Sequence, residues 1–169
     1  KVAEGTKQYR IGEVFSGHGP EPLTRCFTVE RLAERLARRS AKLKALLLDQ
    51  SFIAGVGNIY ADEALYRARL HPLSPAGSMK TEHLRALRDA VVASLEAGIE
   101  AGGSSIDDYR DGRGEKGTMQ EKFLVHTRVG EPCESCGGEI VRIVVGGRST
   151  YFSPACQVRL RRRPRRRAK

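Results

Sequence analysis

Between residues 28 and 101 the apolar positions return every three or four residues, the spacing of helices that bury one face. Thr28 is placed to cap a first helix with the stripe Val29, Leu32, Ala33 and Leu36. A second, shorter helix is predicted over 40–49, with Leu43, Leu46 and Leu47 on one side. A third is predicted from Asn58 to Arg69. It stops ahead of His71-Pro72, where the residue before a proline avoids helical backbone. The longest is predicted over 81–101, lined by Leu84, Leu87, Val91, Leu95 and Ile99 and ended by Gly102-Gly103.

Outside that region the pattern changes. Tyr9, Ile11, Val14 and Phe15 have strand-like spacing but are too few to form a sheet alone. Residues 1–16 are therefore expected to be the remnant of a β-rich unit or its linker, and GHGPEPL (17–23) reads as a boundary. Residues 104–117 are polar and glycine-rich, a loop long enough to suggest a function. Beyond it, Phe123, Val125, 139-EIVRIVV-145 and 148-RSTYFS-153 read as β, with Gly146-Gly147 as a two-residue hairpin turn. The expected fold is mainly α, a helical unit over 17–121 followed by a small β-hairpin module over 122–157.

Composition narrows the class. No apolar run reaches the ~18 residues of a membrane span, and the N-terminal residues lack the apolar stretch of a secretory signal. The net charge is +10, but residues 158–169 (VRLRRRPRRRAK) hold seven Arg, one Lys and no acid. That segment is expected to be a disordered basic tail that attracts polyanions, or simply a solubilising one. With no signal peptide, Cys133, Cys136 and Cys156 read as metal ligands in preference to disulfide partners, while Cys26 is isolated.

Three stretches carry candidate chemistry. In 52-FIAGVGNIYADEAL-65, Gly55 and Gly57 precede a helix start, where free amides and the helix dipole favour an anion. Asn58 adds a side-chain amide donor, so Gly57-Asn58 reads as a phosphate site or as a tight turn. The preceding 42-KLKALLLDQ-50 makes the whole a helix–turn–helix type arrangement. Arg38, Arg39 and Lys42 then either reach neighbouring phosphates or form a solvated basic face. The spacing Cys133-x2-Cys136 … Ser153-x2-Cys156 is that of a zinc ribbon with Ser153 in place of a fourth Cys. A serine hydroxyl is a poor zinc ligand. The site is read either as weakened zinc, completed by water or Ser153, or as a metal-free hairpin held by Ile140, Val144, Tyr151 and Phe152. His126 is a conceivable substitute ligand but lies outside the hairpin. Arg148 follows the Gly-Gly turn and stands at the hairpin tip, suited to a fork-like grip on phosphate.

GPEPL (19–23), LLLDQSFIAGVGNIYADEALYRARLHP (46–72) and GEPCESCGGEIVRIVVGGRSTYFSPACQ (130–157) together resemble the C-terminal half of the formamidopyrimidine-DNA glycosylase / endonuclease VIII family. The resemblance spans nearly all of 17–157 and favours the formamidopyrimidine branch. It implies a helix–two-turn–helix DNA-binding domain and a zinc finger with one zinc per chain. The implied activity is excision of oxidised purines such as 8-oxoguanine and formamidopyrimidines, followed by β,δ-elimination. The implied partner is double-stranded DNA with an oxidised purine or an abasic site, met by a monomer in the bacterial cytoplasm at the nucleoid. By resemblance Asn58 grips a phosphate, Arg148 binds phosphates and donates the proton for δ-elimination, and loop 104–120 closes over the flipped base. The family's nucleophile, an N-terminal proline amine, has no match here, so the parent is expected to be an enzyme and this chain alone to bind DNA without excising a base. A non-catalytic DNA-binding module and a zinc-ribbon module for RNA or protein stand as rivals.

Overall fold

The computed structural model describes residues 17–37, 39–103 and 117–162. The expectations for residues 1–16, Arg38, most of the 104–120 loop and 163–169 lie outside the described residues.

Four helices build the larger unit: α1 (Val29–Leu36), α2 (Leu43–Leu48), α3 (Asn58–Arg67) and α4 (Thr81–Glu100). Thr28 caps α1 through its hydroxyl, which accepts from the Arg31 amide. The apolar stripes converge on one core in which Leu32, Leu43, Leu47, Val56, Ala61, Leu65, Leu87 and Val91 are almost wholly buried. The 17–23 segment is a strap across the turn that follows α2. The Gly19 amide donates to the Gln50 carbonyl (2.8 Å), and a Cβ at Gly19 would run into the backbone of Phe52 and Ile53.

Several boundaries differ from the sequence expectation, each for a traceable reason. α2 is shorter because the chain before it bonds sideways: the Leu43 and Lys44 amides donate to Ser74 and Pro72, and Lys42 bridges to Pro75. α3 ends two residues early. Arg69 takes left-handed backbone (φ 56°) and the Leu70 amide bonds to the Leu65 carbonyl, so a Schellman turn rather than Pro72 stops the helix. α4 ends at the glycine pair as expected. However, Ile99 is 68% exposed, because the last turns of α4 pack through Ala97 and Ala101 onto Met119 and Phe123. Residues 123–126 are not a strand. The amides of Leu124, Val125 and His126 all donate to the buried carboxylate of Glu63 in α3, so they are spent outside any ladder.

The smaller unit is one antiparallel hairpin, β1 (Val141–Val145) and β2 (Arg148–Phe152), with Val145 opposite Arg148. Gly146 and Gly147 both have positive φ (57° and 74°), the backbone a two-residue hairpin turn demands. Ile140 and Phe152 are buried and Tyr151 is half-buried, but Val144, expected to help hold the hairpin, is 64% exposed. The start of the basic tail is docked, against expectation: Val158 exchanges backbone bonds with Arg69 and His71, and the Leu160 amide donates to the Ser74 hydroxyl.

Candidate nucleic-acid interface and metal clip

The elbow before α3 is held from behind. Gln50 clamps it with both ends of its amide, Nε2 donating to the Val56 carbonyl (3.0 Å) and Oε1 accepting from Gly55 N–H (2.9 Å). Val56 is fully buried, which fixes the loop from the core side. On the outer side a Cβ at Gly55 or Gly57 would meet open space. The first internal bond of α3 runs from Ala61 N–H to the Gly57 carbonyl, so the amides of Asn58, Ile59 and Tyr60 precede it. That leaves donors and the positive end of the helix dipole beside an open surface.

Asn58 ties the elbow to the hairpin. Its Nδ2 donates to the Ser149 carbonyl at 3.0 Å across 91 residues of sequence. Its Oδ1 is buried without a hydrogen-bond partner among the described residues. Arg148, the neighbour of Ser149, is exposed, and Arg142 on the facing strand donates to the Ser149 hydroxyl through Nε (3.1 Å) and Nη2 (2.8 Å). Arg148 is also close enough to Lys44 for its charge to be felt there. The elbow and the hairpin therefore share one side of the molecule.

Behind the elbow lies a charged network that sequence reading missed. Lys44 Nζ donates to the Asn58 carbonyl (3.1 Å) and to Asp62 Oδ1, while Asp62 Oδ2 contacts His126 Nδ1 (2.7 Å). Lys44 and Asp62 are entirely buried. Burial lowers the Lys44 ammonium below its ordinary value, and Asp62 only partly restores it. Glu63, beside Asp62, holds the chain into the finger by its three amide bonds. One signal was available. Lys44 stands between Leu43 and Leu47 on a short apolar helix, and Asp62-Glu63 interrupts an apolar one. Charges on faces that must be buried imply one another.

The clip brings Cys133, Cys136 and Cys156 together, their sulfurs all within 4.8 Å of one another. Cys133 and Cys156 are 3.7 Å apart, and the Ser153 hydroxyl is 3.6 Å from Cys136 Sγ. Tyr66, on α3, places its hydroxyl 3.1 Å from Cys133 Sγ and 2.9 Å from the Ser135 hydroxyl. Burial pushes the Cys133 thiol up. Hydrogen bonds from Tyr66, Ser153 and the Ser135 and Cys136 amides outweigh it and bring the thiol down to about 6. The Cys156 thiol, hydrogen-bonded to Cys136 and buried, is shifted up instead. Three convergent soft donors, one of them thiolate-prone and supported by a hydroxyl from behind, fit zinc. His126 is not part of it, being engaged with Asp62.

Residues 18–110 match the formamidopyrimidine-DNA glycosylase H2TH domain, and residues 130–158 match the zinc finger found in FPG and IleRS. The chain belongs to the formamidopyrimidine-DNA glycosylase family. It is 55% identical over 141 residues to the formamidopyrimidine-DNA glycosylase of Chloroflexus aurantiacus, covering 83% of this chain and 51% of that protein. The MutM (Fpg) protein of Thermus thermophilus superposes with a TM-score of 0.79 at 47% identity, covering 83% of this chain and 54% of that one. A complex between Lactococcus lactis Fpg and DNA containing an abasic site superposes with a TM-score of 0.78 at 39% identity, covering 83% and 52%. The chain thus spans about half the length of the curated relatives it matches. A mainly helical H2TH unit followed by a zinc-finger hairpin, expected from the sequence, is the family's architecture.

The structure unites the sequence candidates unevenly. Asn58, next to Gly57, bonds to Ser149 beside Arg148, and the three cysteines gather with Ser153. Arg39 and Lys42 are exposed at the entry to α2, and their described contacts run to Gly77 and Pro75 through the backbone. Neither bonds to Asn58 or the hairpin among the described residues.

Proposed function

We propose that these residues are the DNA-gripping part of a glycosylase and AP lyase acting on oxidised purines, 8-oxoguanine and formamidopyrimidines. The observation that carries this reading is the Asn58–Ser149 bond, which locks the open end of α3 to the strand bearing Arg148. In this reading the α3 amides and the second hydrogen of Asn58 Nδ2 hold one backbone phosphate. Arg148 holds a neighbouring phosphate with the planar fork of its guanidinium. Arg39 and Lys42 add outer phosphate contacts.

Gripping the backbone on both sides of one nucleotide favours extrusion of that nucleotide, because flipping the base out requires the strand to stay held. Arg148 is then near the sugar–phosphate bonds and serves as proton donor in δ-elimination. The amine that attacks the sugar C1′ comes from residues outside this chain, which by itself binds DNA as a monomer and leaves the base in place. Zinc, one per chain on Cys133, Cys136 and Cys156, supplies a rigid base for the hairpin when bound. Tyr66 and Ser135 orient Cys133 toward it.

Competition titrations at fixed salt test the proposal. The chain is expected to bind duplex DNA with an abasic-site analogue more tightly than undamaged duplex, and either more tightly than single-stranded RNA. Arg148→Ala is expected to weaken all duplexes alike and to reduce the salt slope by about 0.9. Equal or tighter binding of single-stranded RNA overturns the reading in favour of an RNA-binding ribbon. An unchanged salt slope removes Arg148 from the backbone.

A further inference from the structure

Position 153 is where this chain departs from a four-thiolate finger, and its surroundings decide what fills the gap. A tetrahedral zinc with Zn–S of about 2.3 Å has S···S edges near 3.8 Å, and an oxygen at about 2.1 Å makes S···O edges near 3.6 Å. The Cys133–Cys156 separation is 3.7 Å, and Cys136 Sγ to Ser153 Oγ is 3.6 Å. Both are the edges of such a tetrahedron. One belongs to two sulfurs and the other to a sulfur and an oxygen.

The backbone at Ser153 is fixed. Its carbonyl accepts from the Cys156 and Gln157 amides, and its own amide donates to Gln157 Oε1 at 2.8 Å. Gln157 Nε2 in turn is anchored on the Leu70 carbonyl of the helical unit. Ser153 is wholly buried, Cys133 and Cys156 nearly so, and Cys136 alone of the four is exposed, so a water at the fourth position would need room that the hydroxyl already takes. The turn from Ser153 to Cys156 therefore presents its hydroxyl from a fixed backbone.

We infer that Ser153 is itself the fourth zinc ligand, giving a first shell of three sulfurs and one oxygen in which the hydroxyl takes the place of water. This rests on the zinc reading above and says what that reading leaves open. On binding, the three thiols release their protons to solvent, and the Ser153 oxygen contributes a lone pair while keeping its proton. The shell then carries one negative charge less than four thiolates would give. A harder, neutral donor in place of a thiolate weakens the hold on zinc but leaves no vacant position for an outside ligand.

Chelator competition and cobalt substitution on the 169-residue chain test the inference. Ser153→Ala is expected to weaken zinc by at least about tenfold, the scale on which even outer-shell partners act. Ser153→Cys is expected to tighten it, with sulfur-to-cobalt absorbance rising in the ratio of four thiolates to three. Azide or imidazole added to the cobalt-loaded parent is expected to leave its visible spectrum unchanged, a readout independent of whether the alanine variant folds. Zinc held equally by the parent and Ser153→Ala, or a spectrum shifted by azide, overturns the inference and assigns the position to water. A parent and a Ser153→Cys variant that both lack zinc after loading overturn the zinc reading itself, a different failure.

Discussion

Replacing Asp62 by Asn keeps the shape of the side chain and removes its charge from a site without solvent. Lys44 then stands buried against a neutral amide oxygen and the Asn58 carbonyl, with no opposite charge beside it. At an effective dielectric near 20, the lost attraction is about 4 kcal/mol at roughly 4 Å. Removing one partner of a buried pair costs about 3–5 kcal/mol in measured cases. Against a total stability of about 5–15 kcal/mol, the variant is folded but marginal. Urea unfolding followed by circular dichroism at pH 7 gives the loss directly. Lys44→Met with Asp62→Asn removes the orphan charge and is expected to recover most of it. The pH dependence has a definite sign. Lys44 already lies below its ordinary 10.5 through burial, and loss of Asp62, which raises it, lowers it further. Below 10.5 the unfolded chain holds this proton more tightly, so stability rises with pH from the folded value toward 10.5. The deficit of the single variant is therefore expected to shrink as the solution is made alkaline. A loss under about 1 kcal/mol, as for a solvent-exposed pair, with no pH trend would refute the idea that a desolvated charge pair supports the elbow.

Gly19→Ala is expected to cost about 1–3 kcal/mol, since the added methyl meets the Phe52 and Ile53 backbone; a melt that does not shift would show the strap to be yielding. Tyr66→Phe is expected to lower zinc affinity by about 10–100-fold in chelator competition while leaving helix content intact. Replacing Arg159, Arg161 and Arg162 by Ser tests the docked start of the tail, where these exposed residues flank Leu160 and Pro75 at an open surface depression. The salt slope for duplex DNA is expected to fall by about 0.9 for each phosphate that these arginines neutralise, and no change in fluorescence anisotropy titrations across salt would leave the tail outside the interface.

Much of this protein was written in its local pattern. The helical stripes, the Thr28 cap, the glycine stop after α4 and the Gly146-Gly147 turn follow from spacing and from backbone that only certain residues adopt easily. The cysteine spacing likewise announced the clip, since a zinc ribbon needs its ligands in pairs at the feet of a hairpin. These features depend on residues a few positions apart, and a linear pattern suffices for them. What only the folded chain decided depends on contacts across many residues. Leu124, Val125 and His126 have the composition of a strand, yet the Glu63 carboxylate takes their amides. Val144 and Ile99 look like core and face solvent, because burial is settled by what lies opposite. Arg69 ends α3 with a backbone few arginines adopt, held there by pairing with Val158. The Asn58–Ser149 bond and the Lys44–Asp62–His126 network join segments tens of residues apart. No local pattern encodes which buried charge will find which, or that the open N-terminus of α3 and an arginine-bearing hairpin close onto one surface.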